Sequence, residues 1–395
     1  MPRKASKNSS PSETTVKEYR PGLEGVIACR STISYVDGQE GLLEYRGINI
    51  RELAEHSTFE ETIYLLLHSH LPSEREFSQF KKLIARLRIL PHSIRDAIEQ
   101  FPVGMHPMLA LQSAISLLQA DDYYADDTSS PQHNLRRAIS LIAKLPTLIT
   151  TFERYRYNEE PLPPSAKYSH AENFLFMLAG EPPNPLAAKA FDRLLILHAE
   201  HSMNASTFVA RAIASSNASI YSSVSGAVGS LSGTFHGGAN ERVLRMLYSI
   251  GHPDNVEEFI EEQLASNSRL MGFGHRVYKV KDPRAHILEE YIPELVDQFG
   301  GEEVKTLYQI AQKFEEVVTQ KMAARNIYPN VDFYSGIVLE ALGIPVDLFT
   351  AVFSMARVSG WCAHWLEQIS ANRLFRPSQD YIGDHQRSYV PIESR

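Results

Sequence analysis

Histidines, arginines and one aspartate recur beside glycines in several stretches of this sequence. In the first, Leu197-His198-Ala199-Glu200-His201-Ser202-Met203-Asn204 sits within an apolar period running from Asp192 to Ala214. A continuous helix there would put His198 and His201 on one face at i, i+3. That pair could be two structural histidines, a metal site with Glu200, or an anion contact; a metal needs a further ligand, and the helical H-E-x-x-H pattern is absent. In the second, Gly233-Thr234-Phe235-His236-Gly237-Gly238 precedes a helix that should start just after Gly238. A histidine beside a positive helix end is held neutral, and a neutral imidazole can donate a hydrogen bond to a developing enolate. The alternative is a glycine-rich turn that happens to carry a histidine.

The third stretch, Gly272-Phe273-Gly274-His275 to Arg284, packs Arg276, Lys279, Lys281 and Arg284 into ten residues of a chain whose net charge is −8. It is either a solvated basic loop or a seat for phosphate or carboxylate groups. The fourth, Tyr328-Pro329-Asn330-Val331-Asp332-Phe333-Tyr334, surrounds Asp332 with apolar and aromatic residues. Such surroundings raise a carboxylate's pKa toward that of a useful base, although Asp332 could instead cap the helix that follows.

The elements that must hold these residues are nearly all helical. Thr58-x-x-Glu61 and Ser73-x-x-Glu76 have the form of capping boxes. Phe77, Phe80, Leu83, Ile84 and Leu87 mark one helix face, ended by Pro91. Asp192 to Ala214, Val256 to Leu264, Val304 to Ala324 and Asp347 to Ile369 read as further helices. The one strand signal is Val26 to Val36, which could pair with residues 42–45 across 37–41. The expectation is an all-α protein with a short N-terminal β element. Asp121 to Asp127 and Arg154 to Pro164 read as solvated loops.

At 395 residues and 44.5 kDa the chain can bury about three quarters of its extended surface, so a large core needs no staples. The acidic balance argues against a broad nucleic-acid footprint. No apolar run approaches the length of a membrane span. Cys29 and Cys362 stand far apart, with no disulfide or zinc framework, which fits a reducing compartment. Residues 1–19, rich in Lys, Ser, Thr, Pro and Glu, read as a disordered tail and not a secretory signal.

Taken in order, these segments resemble the citrate synthase family. The resemblance rests on L-H-A-E-H-S-M-N-A-S-T-F (197–208), F-H-G-G-A-N (235–240), G-F-G-H-R-V-Y-K…D-P-R (272–284), N-V-D-F-Y-S-G (330–336), A-R-V-S-G-W-C-A-H-W-x-E (356–367) and R-P…Y-I-G (376–383). R-P-G-L-E-G-V…Y-R-G-I (20–48) extends it over nearly the whole chain. It implies a multi-helical two-domain fold: a large domain at 20–237 and 344–395, and a small one at 238–343. It also implies a homodimer or higher homo-oligomer in the cytoplasm, binding neither nucleic acid nor membrane.

The implied reaction condenses acetyl-CoA, a cosubstrate, with oxaloacetate and hydrolyses the thioester to citrate and CoA, with no metal and no permanently bound cofactor. By resemblance Asp332 is the base, His236 the donor to the enol oxygen and His275 the donor to the oxaloacetate carbonyl. His201, Arg284, Arg357 and a second copy's Arg376 would take the oxaloacetate carboxylates. Lys279, Arg276 and Lys281 would face CoA phosphates; arginine is also found at Lys279's position in the family, and lysine keeps the charge without the bidentate fork. The nearest alternative is 2-methylcitrate synthase, using propionyl-CoA; one of another class is a metal-dependent hydrolase at His198, Glu200 and His201. Fewer than 20 residues precede Arg20, so the extra N-terminal domain of NADH-inhibited members is not expected.

Overall fold

The helical periodicity is realised in a computed structural model that describes residues 19–266, 268–322 and 327–395. The expected tail therefore lies outside the described residues up to position 18, as does the expected helix end at Ala324. Residues 31–375 form one compact unit, and the described parts of the two terminal segments, 19–30 with 376–395, form another. Residues 19–30 and 376–395 of the terminal unit are mostly extended and exposed, with short 3-10 turns at Pro21–Leu23 and Ile392–Ser394.

The main unit opens with a small antiparallel sheet ordered β1 (Ser34–Asp37), β2 (Leu42–Tyr45) and β3 (Ile48–Asn49). Ser34 pairs with Tyr45 and Asp37 with Leu42, so the turn falls at 38–41. The expected strand from Val26 is much shorter, because residues 26–30 belong to the terminal unit and pair with no strand among the described residues.

Helices follow in chain order: α1 Ile50–His56, α2 Phe59–His68, α3 Glu74–Leu87, α4 His92–Glu99, α5 Pro107–Leu118, α6 Pro131–Arg156, α7 His170–Ala179 and α8 Pro185–His198. After a break come α9 Ala205–Ser215, α10 Ile220–Leu231, α11 Ala239–Ile250, α12 Val256–Ala265, α13 Pro283–Phe299, α14 Gly301–Met322, α15 Val331–Ala341 and α16 Phe349–Ser370. Ser73 and Glu76 form the expected reciprocal capping box of α3. Thr58 caps α2 through Glu61 N–H, but the Glu61 carboxylate accepts from Ser57 Oγ at 2.7 Å, so that box is half made. Asp122, within the expected solvated loop, instead accepts from Arg137 Nε at 2.7 Å.

α16 is the axis of the core. Its sides are buried almost all round, as an apolar helix inside a large domain must be. Trp361 and Trp365 are fully enclosed; burying an apolar side chain of this kind contributes about 1.5–3 kcal/mol. Around it pack α2, α6, α8, α9 and α10, while α11 to α15 pack largely on one another.

Candidate active site

The helix expected over 192–214 is broken. α8 ends at His198, and α9 begins only after Asn204. The break has a tertiary cause. The buried Tyr45 hydroxyl, from β2, lies 3.0 Å from the Ile196 carbonyl and 2.9 Å from the Glu200 carbonyl, and accepts Glu200 N–H at 3.2 Å. It thereby serves backbone groups that another helical turn would have used. Ser202 takes a left-handed φ of 48°, and Asn204 restarts the chain as a helix, its side chain accepting Thr207 N–H.

His198 and His201 therefore do not share a helix face. His198 Nδ1 donates to the Leu194 carbonyl at 2.8 Å. His201 turns into a loop and meets the Tyr278 hydroxyl at 3.1 Å through Nε2. Glu200 Oε1 is taken by His364 Nε2 at 3.0 Å and Ser34 Oγ at 3.0 Å. Among the described residues no group of three or more His, Cys, Asp or Glu is placed to hold a metal. The hydrolase geometry at His198, Glu200 and His201 is thus corrected: these side chains go to separate partners, Leu194, His364 with Ser34, and Tyr278.

The helix start after Gly238 is where the sequence places it. His236, however, is oriented by the first turn of α9. Ser206 donates its backbone N–H to His236 Nε2 at 3.2 Å, and Ser206 Oγ lies 2.8 Å from the same nitrogen. A backbone N–H can only donate, so Nε2 is the acceptor and the neutral ring carries its proton on Nδ1. Trp361 Nε1 donates to Ser206 Oγ at 3.2 Å, fixing that hydroxyl in turn. Burial, reinforced by Arg357, lowers His236 to about 4, so the ring is neutral at pH 7.

His275 shows the opposite tautomer. Val277 and Tyr278 donate their backbone N–H groups to Nδ1 at 3.0 and 3.2 Å. The proton of the neutral ring is therefore on Nε2. Burial and Arg284 bring His275 to about 4. Its ring stands edge-on to His201, with centroids 5.3 Å apart and planes at 78°. Burial, then the charge of Arg284, drives His201 well below the ordinary histidine value.

Two short segments bring His275 and Asp332 together. Gly274 N–H donates to the Tyr328 carbonyl and Asn330 N–H to the Gly272 carbonyl, each at 2.9 Å. Asn330 Nδ2 also donates to the Gly274 carbonyl at 3.1 Å. Gly272 has a φ of 78°, and a Cβ there would lie 2.8 Å from the Phe333 ring and from Val243, so the bend needs glycine.

Asn330, not Asp332, caps α15; its Oδ1 accepts Asp332 N–H at 3.0 Å. That leaves the Asp332 carboxylate uncommitted, with Oδ1 buried and lacking a hydrogen-bond partner among the described residues. Burial raises it from 3.8 to about 6, against the pull of Arg284 and Arg357.

Both arginines are buried in the same place. Arg284 is gripped by Asp282 through Nε to Oδ1 at 3.0 Å and Nη2 to Oδ2 at 2.7 Å. Burial works against that guanidinium's charge, and Asp282 more than restores it. Arg357 donates from Nε to the His198 carbonyl at 2.7 Å and lies over the Phe353 ring. Burial draws it down to about 10 against the pull of Glu200, so it too is charged at neutral pH.

His201, His236, His275, Asp332, Arg284 and Arg357 thus form one electrostatic cluster. Lys279 and Arg276 are exposed on the loop beside it. Lys281, expected to face phosphates, is ion-paired: its ammonium sits 2.6 Å from Glu289 and 2.5 Å from Glu315. Arg376 belongs to the terminal unit, where it is exposed and donates to the Pro377 carbonyl. Residues not singled out from sequence include Ser206, Tyr278, Asp282 and Tyr45. Only Asp282 had a local signal, as an Asp-Pro helix start; the others act through contacts far along the chain.

A helical fold closing on buried arginines, neutral histidines and an uncommitted carboxylate defines an enzyme with an anion site. A family model described as "Citrate synthase, C-terminal domain" matches residues 22–378, and the chain belongs to the citrate synthase family. A citrate synthase of Synechocystis sp. is 48% identical over 378 residues, covering 95% of this chain and 94% of its own. "Citrate synthase 2" of Bacillus subtilis is 44% identical, covering 95% and 98%. Citrate synthase from Thermotoga maritima superimposes with a TM-score of 0.86 at 40% identity, over 96% of this chain and 99% of that one. Citrate synthase from Thermoplasma acidophilum, solved as a ternary complex with carboxymethyl coenzyme A and oxaloacetate, gives 0.91 at 31% identity, over 96% and 100%.

Proposed function

We propose that this chain condenses acetyl-CoA with oxaloacetate and hydrolyses the resulting citryl thioester, releasing citrate and CoA. The observation that carries the reading is the opposed pair of histidine tautomers. A thioester methyl group is a very weak carbon acid, so removing its proton requires stabilisation of the enolate oxygen in the same step. Asp332, uncommitted and near neutrality, takes the methyl proton. His236 donates from Nδ1 to the thioester oxygen. The enol carbon then attacks the ketone carbon of oxaloacetate, and His275 donates from Nε2 to the ketone oxygen as it becomes an alkoxide. Water attacks the thioester carbonyl of citryl-CoA, and the CoA thiolate leaves.

The oxaloacetate carboxylates are assigned to His201, Arg284, Arg357 and Arg376 from a second copy. Asp282 occupies the Nε–Nη2 edge of Arg284, which leaves the Nη1 side for substrate. Arg357 spends Nε on the His198 carbonyl, which leaves its terminal fork. Lys279 and Arg276 are proposed for the CoA phosphates; Lys281 is left out because Glu289 and Glu315 neutralise it. No resident cofactor is called for.

The same reading takes 238–343 as a small domain and 20–237 with 344–395 as a large one, supported by the mutual packing of α11 to α15. It takes the protein as a cytoplasmic homodimer. Bacterial relatives support the compartment, and no helix among the described residues is long and apolar enough to cross a membrane.

A thiol-release assay with oxaloacetate tests the reaction, comparing acetyl-CoA and propionyl-CoA at saturating oxaloacetate. Acetyl-CoA should have the higher kcat/KM, with citrate as product. A higher value for propionyl-CoA would transfer the assignment to 2-methylcitrate synthesis, and no thiol release with either would reject it.

A further inference from the structure

The β1–β2 hairpin touches both loops that carry the substrate histidines. Near its start, Ser34 Oγ donates to Glu200 Oε1 at 3.0 Å and accepts Ser202 N–H at 3.2 Å. β1 is thereby tied to the 199–204 loop and to His201. Its turn reaches the other loop. The Gly38 carbonyl accepts Lys279 N–H at 2.8 Å. A Cβ at Gly38 would lie 2.1 Å from the Val277 carbonyl oxygen and 2.7 Å from its carbon, both backbone atoms. Gly38 has no positive φ, so the close approach alone demands glycine. The turn is held to shape by Asp37, whose Oδ1 accepts the N–H groups of Gln39 and Glu40 at 2.8 and 3.1 Å.

The loop it presses on does two things at the site. Val277 and Tyr278 fix the His275 tautomer, and the Tyr278 hydroxyl meets His201. Displacing Val277 would therefore move both histidines.

We propose that the hairpin is a positioning strap for this reaction: Ser34 and Gly38 set the spacing between the His201 and His275 loops without touching substrate. The inference rests on the proposed function, since it takes both histidines as oxaloacetate ligands. It predicts that the two anchors act through one rigid element. Ser34 and Gly38 are four residues apart, about 13 Å along a strand. Independent sites at that separation behave additively, so coupling between them would be the mark of a strap.

The test compares the parent chain with Gly38→Ala, Ser34→Ala, the double variant, and Gln39→Ala as a turn control. Each is read by kcat, by both KM values, by the melting temperature without ligand, and by the rise in that temperature with oxaloacetate alone. Gly38→Ala should melt no more than a few degrees below the parent without ligand, lose most of the oxaloacetate-induced rise, and lose roughly 10- to 100-fold in kcat, the scale of an ångström's misplacement and more than that small destabilisation accounts for. Gln39→Ala should match the parent. The double variant should lose clearly less than the product of the single losses. Parental kcat and parental oxaloacetate stabilisation in Gly38→Ala would overturn the strap. So would multiplicative single effects, or a loss of activity that only follows a lower melting temperature of the free protein. A parent that binds oxaloacetate but forms no citrate would refute the reaction, and the oxaloacetate-stabilisation readings would still decide the strap.

Discussion

Replacing Asp332 by asparagine should cut turnover by orders of magnitude and make the protein more stable. Burial lifts the carboxyl from 3.8 to about 6 and leaves Oδ1 without a hydrogen bond among the described residues. A tenfold change in a protonation equilibrium is 1.36 kcal/mol, so keeping Asp332 ionised in the folded state costs about 3 kcal/mol at pH 7.5. A carboxyl with a raised folded-state pKa destabilises fully above the folded value, and progressively less as pH falls toward the unfolded one. The gain in Asp332→Asn should therefore be about 3 kcal/mol at pH 7.5, about 1.5 kcal/mol at pH 5, and absent below about pH 3.8. With an unfolding entropy of about 2.1 cal/mol/K per residue, the neutral-pH gain corresponds to roughly 3–4 °C in Tm. Loss of a general base should lower kcat by about 100- to 10,000-fold. In the parent, kcat should fall below pH 6, to about one tenth by pH 5, because only the ionised carboxylate accepts the proton. His236 and His275, both near 4, add no second limb there. Scanning calorimetry at both pH values and thiol release from pH 5 to 8 measure these effects. An asparagine variant no more stable than the parent at pH 7.5, or a gain equal at both pH values, would refute a desolvated, charge-bearing Asp332.

Arg357→Ala should raise the oxaloacetate KM by about 10- to 100-fold, the worth of a charge-assisted hydrogen bond; an unchanged KM in steady-state assays would remove Arg357 from the carboxylate site. His170, fully buried with neither ring nitrogen partnered among the described residues, is brought by burial to about 3. His170→Leu should raise the melting temperature by about 1–3 °C by removing unsatisfied polar atoms, and a lower value in calorimetry would show that the ring is needed. Arg376→Ala mixed with Asp332→Asn should recover activity after subunit exchange if Arg376 acts in the other copy's site; no recovery would place its action within its own chain.

Residue types and local order made much of this protein legible from the sequence. The helices α3, α12 and α16 follow from apolar period and breakers, and the start of α11 after Gly238 is where glycine spacing puts it. The motifs around His201, His236, His275 and Asp332 were enough to indicate the family. Tertiary contacts decided what those side chains do. The helical period through 192–214 is broken by Tyr45, from a strand some 150 residues away, because its hydroxyl serves the backbone at 196 and 200. Asp332 is uncommitted because Asn330 takes the cap, and it is raised toward neutrality because folding buries it near two arginines. The proton positions on His236 and His275 depend on which backbone N–H points at which ring nitrogen, a matter of orientation that no local pattern encodes. Lys281, one cation among several in the sequence, is singled out only by the carboxylates that folding brings to it from α13 and α14. Sequence by itself determined which groups were available and how the chain would coil; the packed structure determined their charge, their tautomer and their partners, because these depend on burial and on neighbours distant along the chain.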